Sequence, residues 1–316
     1  LKGEEFPPYH MNYRVIDVTT SVVSTSFGAL MNSQQYRSRT LVPQIRLGDA
    51  TLDNFKFAQM GAQQPSSARL PLDEDNNEDA IRQAIWNETN NRYKFAVDMY
   101  QRTKAQTTVN VEEEDKAPYF SDVPVEKYYE APLPVEKTKI DLDEWAKRLK
   151  EISAVFKNQP GIMQGDAMMI YTVERRYFVN SEGTEVVQNL PYARIMVFGE
   201  TKADDGMELP LNLSYFAYDP KDLPSNDKII ADAKEMVKTL EALRVAPMVD
   251  PYTGPALLSG PASGVFFHEI FGHRVEGQRM KSESDGQTFK KMVGEYVLPA
   301  DMHVYDDPTI REYAGE

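Results

Sequence analysis

The sequence predicts an α+β protein in which antiparallel sheets pack against long helices and a further C-terminal domain begins. Two units, each with strand-like segments and amphipathic helices, follow one another, and a third unit starts after them. The strand-like segments are rich in Val, Ile, Tyr and Thr and are separated by turn residues. The predicted boundaries are residues 1–108, 109–246 and 247–316.

Composition excludes several classes of protein. The 316 residues are 41% hydrophobic, and 49 acidic residues against 35 basic ones give a formal net charge of -14. An acidic chain without clustered Lys and Arg argues against a nucleic-acid partner. No apolar run is long enough to predict membrane insertion. The chain has no cysteine, which excludes disulfides and thiolate ligands within it.

The N-terminal unit is predicted from three strand segments within residues 11–48, with turns at Asn32–Ser33 and Gly48–Asp49. A polar, exposed loop is expected at residues 61–77. A helix is expected from Glu78 to about Lys104, because apolar residues recur there at helical spacing.

The middle unit begins with a proline-rich, acidic linker at residues 106–140, where little regular structure is expected. Its predicted elements are a helix from about Leu142 to Lys157 capped by Asp141, a strand meander from about Asp166 to Tyr218, and a helix from about Asp227 to Leu243 capped by Ser225 or Asn226.

In the C-terminal unit, the "ALLSG" segment at residues 256–260 predicts a buried strand. A helix is expected from about Ser263 to Arg274. Strands are expected within residues 296–310, with a turn at Asp306–Pro308.

The predicted C-terminal helix contains a compact group of candidate metal-binding residues. His268, Glu269 and His273 lie within six residues and include two of the four histidines of the chain. Imidazoles suit zinc, and a nearby carboxylate can take a proton from an attacking water. The group therefore offers two ligands and a general base.

The spacing of the two histidines carries a geometric cost. Residues five positions apart lie roughly 140° apart around a regular α-helix. A π-bulge, or an end of the helix at Gly272, would bring the imidazoles together. Two interpretations stay open from the residues alone: a metal site on a distorted helix, or two polar histidines on an amphipathic one.

The segment "GPALLSGPASGVFFHEIFGHRVEGQ", residues 254–278, resembles the active-site segment of the TldD/PmbA family of metallopeptidases, once called modulators of DNA gyrase. The shared features are the H-E-x-x-x-H core and its flanks. "YFVNSEG" at residues 177–183 and "VYDDPT" at residues 304–309 are similar to further family segments.

This resemblance implies a zinc-dependent peptidase that cleaves unfolded or extended peptides. His268 and His273 would be zinc ligands and Glu269 the general base. The family completes its site with a downstream cysteine, which this chain lacks. Candidate substitutes for that ligand within the chain are Glu276, Glu283, Asp285 and His303, whereas Asp306 and Asp307 are expected to be turn residues.

The resemblance also implies an oligomer with a related family subunit, and a generally cytoplasmic location. Because the chain opens without methionine, we expect it to be part of a longer precursor, and a removed export signal is compatible with that start. On its own the chain is expected to bind zinc weakly or not at all and to be inactive. The alternative function is a non-catalytic peptide-binding or scaffold subunit.

Overall fold

The computed structural model describes residues 1–55, 67–72, 78–109, 118, 123–277, 279, 286–307 and 309–310. Within these residues the chain forms one seven-stranded sheet and four α-helices, which confirms the predicted α+β class.

Five long strands and two short ones form the sheet. The strands are β1 (Pro8–Ser26), β2 (Ala29–Leu47), β3 (Ala68–Arg69), β4 (Lys127–Tyr129), β5 (Ile162–Asn180), β6 (Glu185–Lys202) and β7 (Glu208–Ala217). Their order is β3-β2-β1-β5-β6, and both β4 and β7 pair with β6. The β4–β6 pair is parallel and the others are antiparallel.

The helices begin close to their predicted positions. They are α1 (Glu78–Val109), α2 (Leu142–Ser153), α3 (Asn226–Arg244) and α4 (Gly260–Ile270). The carboxylate of Asp141 caps α2 by accepting hydrogen bonds from two backbone N–H groups, and the hydroxyl of Ser225 caps α3 by accepting one. Both caps confirm the sequence-based assignment.

Three of the helices cover one face of the sheet. The predicted apolar faces of α2 and α3 are buried against β5 and β6 in the main core, where Phe156, Leu149 and Leu240 are fully buried. A second cluster joins Tyr93 and Ala96 of α1 to the end of β2. Alternation along each strand places every second residue on this helix-bearing face.

The sheet is continuous across the predicted boundary at residues 108–109. β1 pairs with β5 over fifteen residue pairs, from Asn12–Asn180 to Ser26–Asp166. The sequence indicated separate antiparallel sheets, but long-range pairing joins the strands of both units. The division into domains stays a prediction.

The N-terminal strands differ from their prediction. Two 19-residue strands replace the three expected segments, and Asn32 and Ser33 lie inside β2 rather than in a turn. The chain reverses at Phe27 and Gly28, whose φ angles are 46° and 83°. Positive φ at both central residues fits the tight hairpins whose twist matches that of paired strands.

The loops were predicted only in part. Ala68 and Arg69, expected in an exposed loop, pair with β2, and Leu70 is buried. The helix α1 continues into the first four residues of the predicted linker. Residues 123–140 contain only β4 and one 3₁₀ turn, in agreement with the prediction, whereas residues 110–117 and 119–122 lie outside the described part.

The strands predicted in the C-terminal unit are wrong where the structure describes them. Residues 256–259 form no strand, Gly260 begins α4, and Leu257 is fully exposed. Residues 296–307 also form no strand. Strand-like sequences need a neighbouring strand for their backbone hydrogen bonds, and none of the described strands pairs with these segments. No described helix is long and apolar enough to cross a membrane.

Candidate metal centre

The helix α4 carries the histidine motif and ends within it. It begins at Gly260, three residues earlier than predicted, with a proline in its first turn. None of its residues is buried, and Val265 and Phe266 are 63% and 49% exposed. The motif therefore lies on an open surface of the described chain.

The predicted distortion near Gly272 is confirmed. The helix ends at Ile270, Phe271 leaves helical geometry at φ -122° and ψ -52°, and a 3₁₀ turn follows at Gly272–Arg274. The break is thus one residue before the glycine. Gly272 itself has no positive φ, so it is the change of helical pitch, rather than a left-handed residue, that redirects His273.

This break brings the imidazoles of His268 and His273 to the same side of the helix end. The ring centroids of His268 and His273 are 4.5 Å apart with an interplanar angle of 72°. One potential ligand atom from each of His268, Glu269 and His273 lies within 4.8 Å of the others. An undistorted helix would have turned the two rings away from each other.

The carboxylate of Glu269 lies beside both rings. Its Oε1 is 3.8 Å from Nε2 of His268, and its Oε2 is 3.8 Å from Nε2 of His273. The side chains of His268 and Glu269 are 62% and 61% exposed, whereas that of His273 is 35% exposed. The carboxylate can therefore reach water beside the same nitrogens that could hold a metal.

The far side of His273 is held by Glu276. Nδ1 of His273 is 2.8 Å from Oε1 of Glu276, and Nε of Arg279 donates to Oε2 of the same carboxylate at 2.6 Å. The hydrogen bond from Arg279, followed by that from His273, holds the pKa of Glu276 below its ordinary value. Glu276 stays ionised and fixes the ring of His273.

Glu276 therefore has a different place from the one proposed from the sequence. It contacts Nδ1 of His273 rather than the shared space between the rings, so its contact is that of an orienting partner. The spacing of three residues from His273 to Glu276 and from Glu276 to Arg279 could have indicated this chain of contacts, because such residues are neighbours along a helical turn.

The other proposed substitutes do not join the group. His303 is exposed, its ring lies tilted beside that of Tyr305, and it belongs to no described group of three potential ligands. Glu283 and Asp285 lie outside the described residues. Asp307 is a turn residue as predicted, since its carboxylate accepts hydrogen bonds from the backbone and hydroxyl of Thr309, which lower its pKa.

The two imidazoles are ligands of the kind that zinc prefers, but they are fewer than the protein ligands that a catalytic zinc usually has. Zinc–nitrogen distances of about 2.0–2.1 Å would place two tetrahedral ligand atoms about 3.4 Å apart, so atoms that now lie within 4.8 Å of one another would close in by up to about 1.4 Å. Small rotations of exposed side chains allow such a movement. The described residues supply two imidazoles, and a catalytic zinc usually has three protein ligands.

Comparison with known proteins identifies the segment that surrounds this group. Residues 251–315 match the family model of the PmbA/TldA metallopeptidase C-terminal domain. No curated protein matches the chain.

Several solved structures are similar to this chain. A proposed modulator of a DNA gyrase from Thermotoga maritima has a TM-score of 0.44 at 11% identity, over 76% of this chain and 46% of that one. TldE from Thermococcus kodakarensis has a TM-score of 0.42 at 16% identity, over 73% of this chain and 44% of that one. A proposed modulator of DNA gyrase from Bacteroides thetaiotaomicron has a TM-score of 0.44 at 11% identity, over 73% of this chain and 46% of that one. The chain spans less than half the length of each.

Proposed function

We propose that this chain, whose residues 251–315 match the PmbA/TldA metallopeptidase C-terminal domain, is part of a zinc-dependent peptidase of the TldD/PmbA family that acts on unfolded or extended peptides. The observation that carries the proposal is the convergence of His268, Glu269 and His273 within 4.8 Å across a broken helix. The break lies at the end of a helix with no buried residue, and it brings these three side chains to one side.

His268 and His273 would hold the metal through ring nitrogens. For His273, the contact between Nδ1 and the ionised carboxylate of Glu276 favours the tautomer with the proton on Nδ1, which leaves the lone pair on Nε2 free. His268 has no described partner that selects its tautomer. When bound, zinc would polarise the peptide carbonyl and make water more acidic.

Glu269 would act as the general base. Its exposed carboxylate lies 3.8 Å from Nε2 of both histidines, so it would be close to a water molecule held beside those nitrogens. As the water oxygen bonds to the carbonyl carbon, its proton passes to Glu269. When the carbon–nitrogen bond breaks, the same carboxyl returns a proton to the leaving amine.

The third ligand would come from outside this chain. The family resemblance implies a cysteine, and the chain has none. The partner would be a related family subunit, which the resemblance also implies. No described contact favours the alternative of a non-catalytic scaffold.

The test is metal removal from the gene's full-length product. Hydrolysis of an unfolded casein substrate should stop after dialysis against 1,10-phenanthroline and return with stoichiometric zinc. His268→Ala should lose both zinc and activity, whereas His303→Ala should keep both. Activity that survives in the metal-free protein, or in His268→Ala, would contradict the proposal.

A further inference from the structure

A cleft on the helix-bearing face of the sheet, remote in sequence from the histidine motif, has the features of a second binding site. Its volume is about 440 Å³, within the range typical of small-molecule pockets. Strands β1, β2, β5 and β6 provide its floor, and residues 132–139 provide a wall. Arg37, Lys139, Arg175 and Tyr177 line it, together with Asp17 and Asn189.

The carboxylate at the floor of this cleft is already fully engaged. Asp17 is 7% exposed, and Arg37 donates to both of its oxygens at 2.7 Å. Nε of Arg39 donates to the second oxygen at 2.8 Å. One carboxylate thus faces two guanidinium groups and leaves one positive charge without compensation. The half-exposed side chain of Arg37 borders the open space.

A third guanidinium is held by neutral oxygens. Arg175 donates to the hydroxyl of Tyr177 at 2.9 Å, to the side-chain carbonyl of Asn189 at 2.8 Å and to the backbone carbonyl of Glu130 at 3.1 Å. The nearby carboxylate of Glu130 is occupied by Tyr128 and Asn189. These bonds fix the position of Arg175 without cancelling its charge.

Lys139 adds a third cation to the lining, at the wall of the cleft. Its side chain is exposed, and within the described part of the chain its ammonium group forms no ion pair. Three cationic side chains, those of Arg37, Lys139 and Arg175, therefore line the cleft with one carboxylate, that of Asp17. The protein as a whole has a net charge of -14. A local surplus of positive charge in a concave site therefore attracts anions to this part of its surface.

The rest of the lining combines the polar side chains of Thr19, Gln35 and Thr138 with apolar and aromatic ones. Tyr36 and Tyr177 are 50% and 36% exposed, and Leu133 and Val173 also line the cleft. Such a surface suits a flat or apolar group. We propose that this cleft binds a small organic anion, with its carboxylate or phosphate group near Lys139, Arg37 and Arg175 and its apolar part against the tyrosines. The site would be separate from the peptidase centre.

The experiment compares three ligands that share a phenyl ring and differ in charge. They are the anions benzoate and phenyl phosphate and the neutral benzyl alcohol. Isothermal titration of the chain should show saturable, one-to-one binding of at least one anion and none of benzyl alcohol. The preferred anion identifies the natural anionic group. Raising the salt from about 50 to about 500 mM should weaken binding several-fold, because exposed charges are screened.

The matched variants are Lys139→Gln and Lys234→Gln, which remove the same charge from two exposed positions. Lys139→Gln should weaken anion binding about tenfold, as expected for the loss of one charge-assisted contact, and Lys234→Gln should leave it unchanged. Lys139→Glu should abolish it. Equal binding of benzyl alcohol, equal effects of the two glutamine variants, or no binding of either anion would overturn the proposal.

Discussion

Nδ1 of His273 lies 2.8 Å from Oε1 of Glu276, and the other oxygen of that carboxylate accepts a hydrogen bond from Arg279. The imidazole of His273 is therefore held at Nδ1 by the ionised carboxylate of Glu276, which Arg279 fixes in turn. Partners of this kind set the tautomer and orientation of a histidine ligand and raise its basicity. The contact explains why His273 is the less exposed of the two motif histidines.

Replacing Glu276 with Ala should weaken zinc binding by the gene's full-length product. Loss of an orienting partner typically costs 10- to 100-fold in metal affinity, so we expect a decrease of about that size in competition with a fluorescent chelator. Glu295→Ala, which removes an exposed carboxylate from the same region, is the control. Unchanged zinc affinity in Glu276→Ala would show that the contact does not support the metal.

The 316-residue chain on its own should bind zinc weakly and hydrolyse no peptide. Two imidazoles form an incomplete site, because a catalytic zinc usually needs a third protein ligand. Calorimetric titration should show no tight one-to-one complex. If tight binding is observed, a local residue supplies the third ligand, and alanine substitutions of His303 and Glu276 would identify it.

The core should tolerate no methyl group at Gly165. A Cβ atom there would lie 2.2 Å from Cβ of Phe156, which is fully buried. Forcing extra volume into a packed core typically costs about 1–3 kcal/mol, so Gly165→Ala should lower the free energy of unfolding by at least that amount in urea. Gly3→Ala, whose added Cβ meets nothing within 4 Å, should leave it unchanged. Equal stability of both variants would contradict the packing described.

Asp17 should make stability depend on pH in the acidic range. Burial tends to raise its pKa, but hydrogen bonds from Arg37 and Arg39 outweigh burial and hold the pKa below the ordinary value. A lowered pKa in the folded state means that the stabilisation is complete above the unfolded pKa, about 3.9, and is lost as the pH falls through the folded pKa.

The variant Asp17→Asn should therefore be less stable at neutral pH. We expect a loss of about 1–3 kcal/mol, the cost of leaving buried hydrogen-bonding groups without their charged partner. Its stability should also change less than that of the wild type below about pH 4. Urea unfolding across this range checks both points, with Glu241→Gln as an exposed control. A wild-type acid profile in Asp17→Asn would exclude Asp17 as the cause.

The sequence predicted the parts of the fold that local patterns determine. The apolar faces of α2 and α3 and the caps Asp141 and Ser225 were all predicted, because helical spacing and capping depend on neighbours in the chain. The single sheet was not predicted. The β1–β5 pairing joins residues more than a hundred positions apart, and each strand carries no local signal for its distant partner.

The candidate site was predicted to a similar extent. The spacing of His268 and His273 indicated a distorted helix, and the break at Phe271 confirms it. The contact of Glu276 with His273 was missed, because three-residue spacing is common and only the geometry shows which atom a carboxylate faces. The roles of the three motif residues in catalysis stay a prediction.

The most direct test of the peptidase function is the variant Glu269→Gln of the gene's full-length product, compared with the wild type for zinc content and peptide hydrolysis. Glutamine keeps the shape of the side chain but cannot accept a proton from water. We predict equal zinc content in both proteins and a decrease in hydrolysis by at least the 10²- to 10⁴-fold that general-base catalysis typically contributes. Full activity of Glu269→Gln with zinc bound would contradict the role of Glu269, and a zinc-free wild type would contradict the metal centre itself.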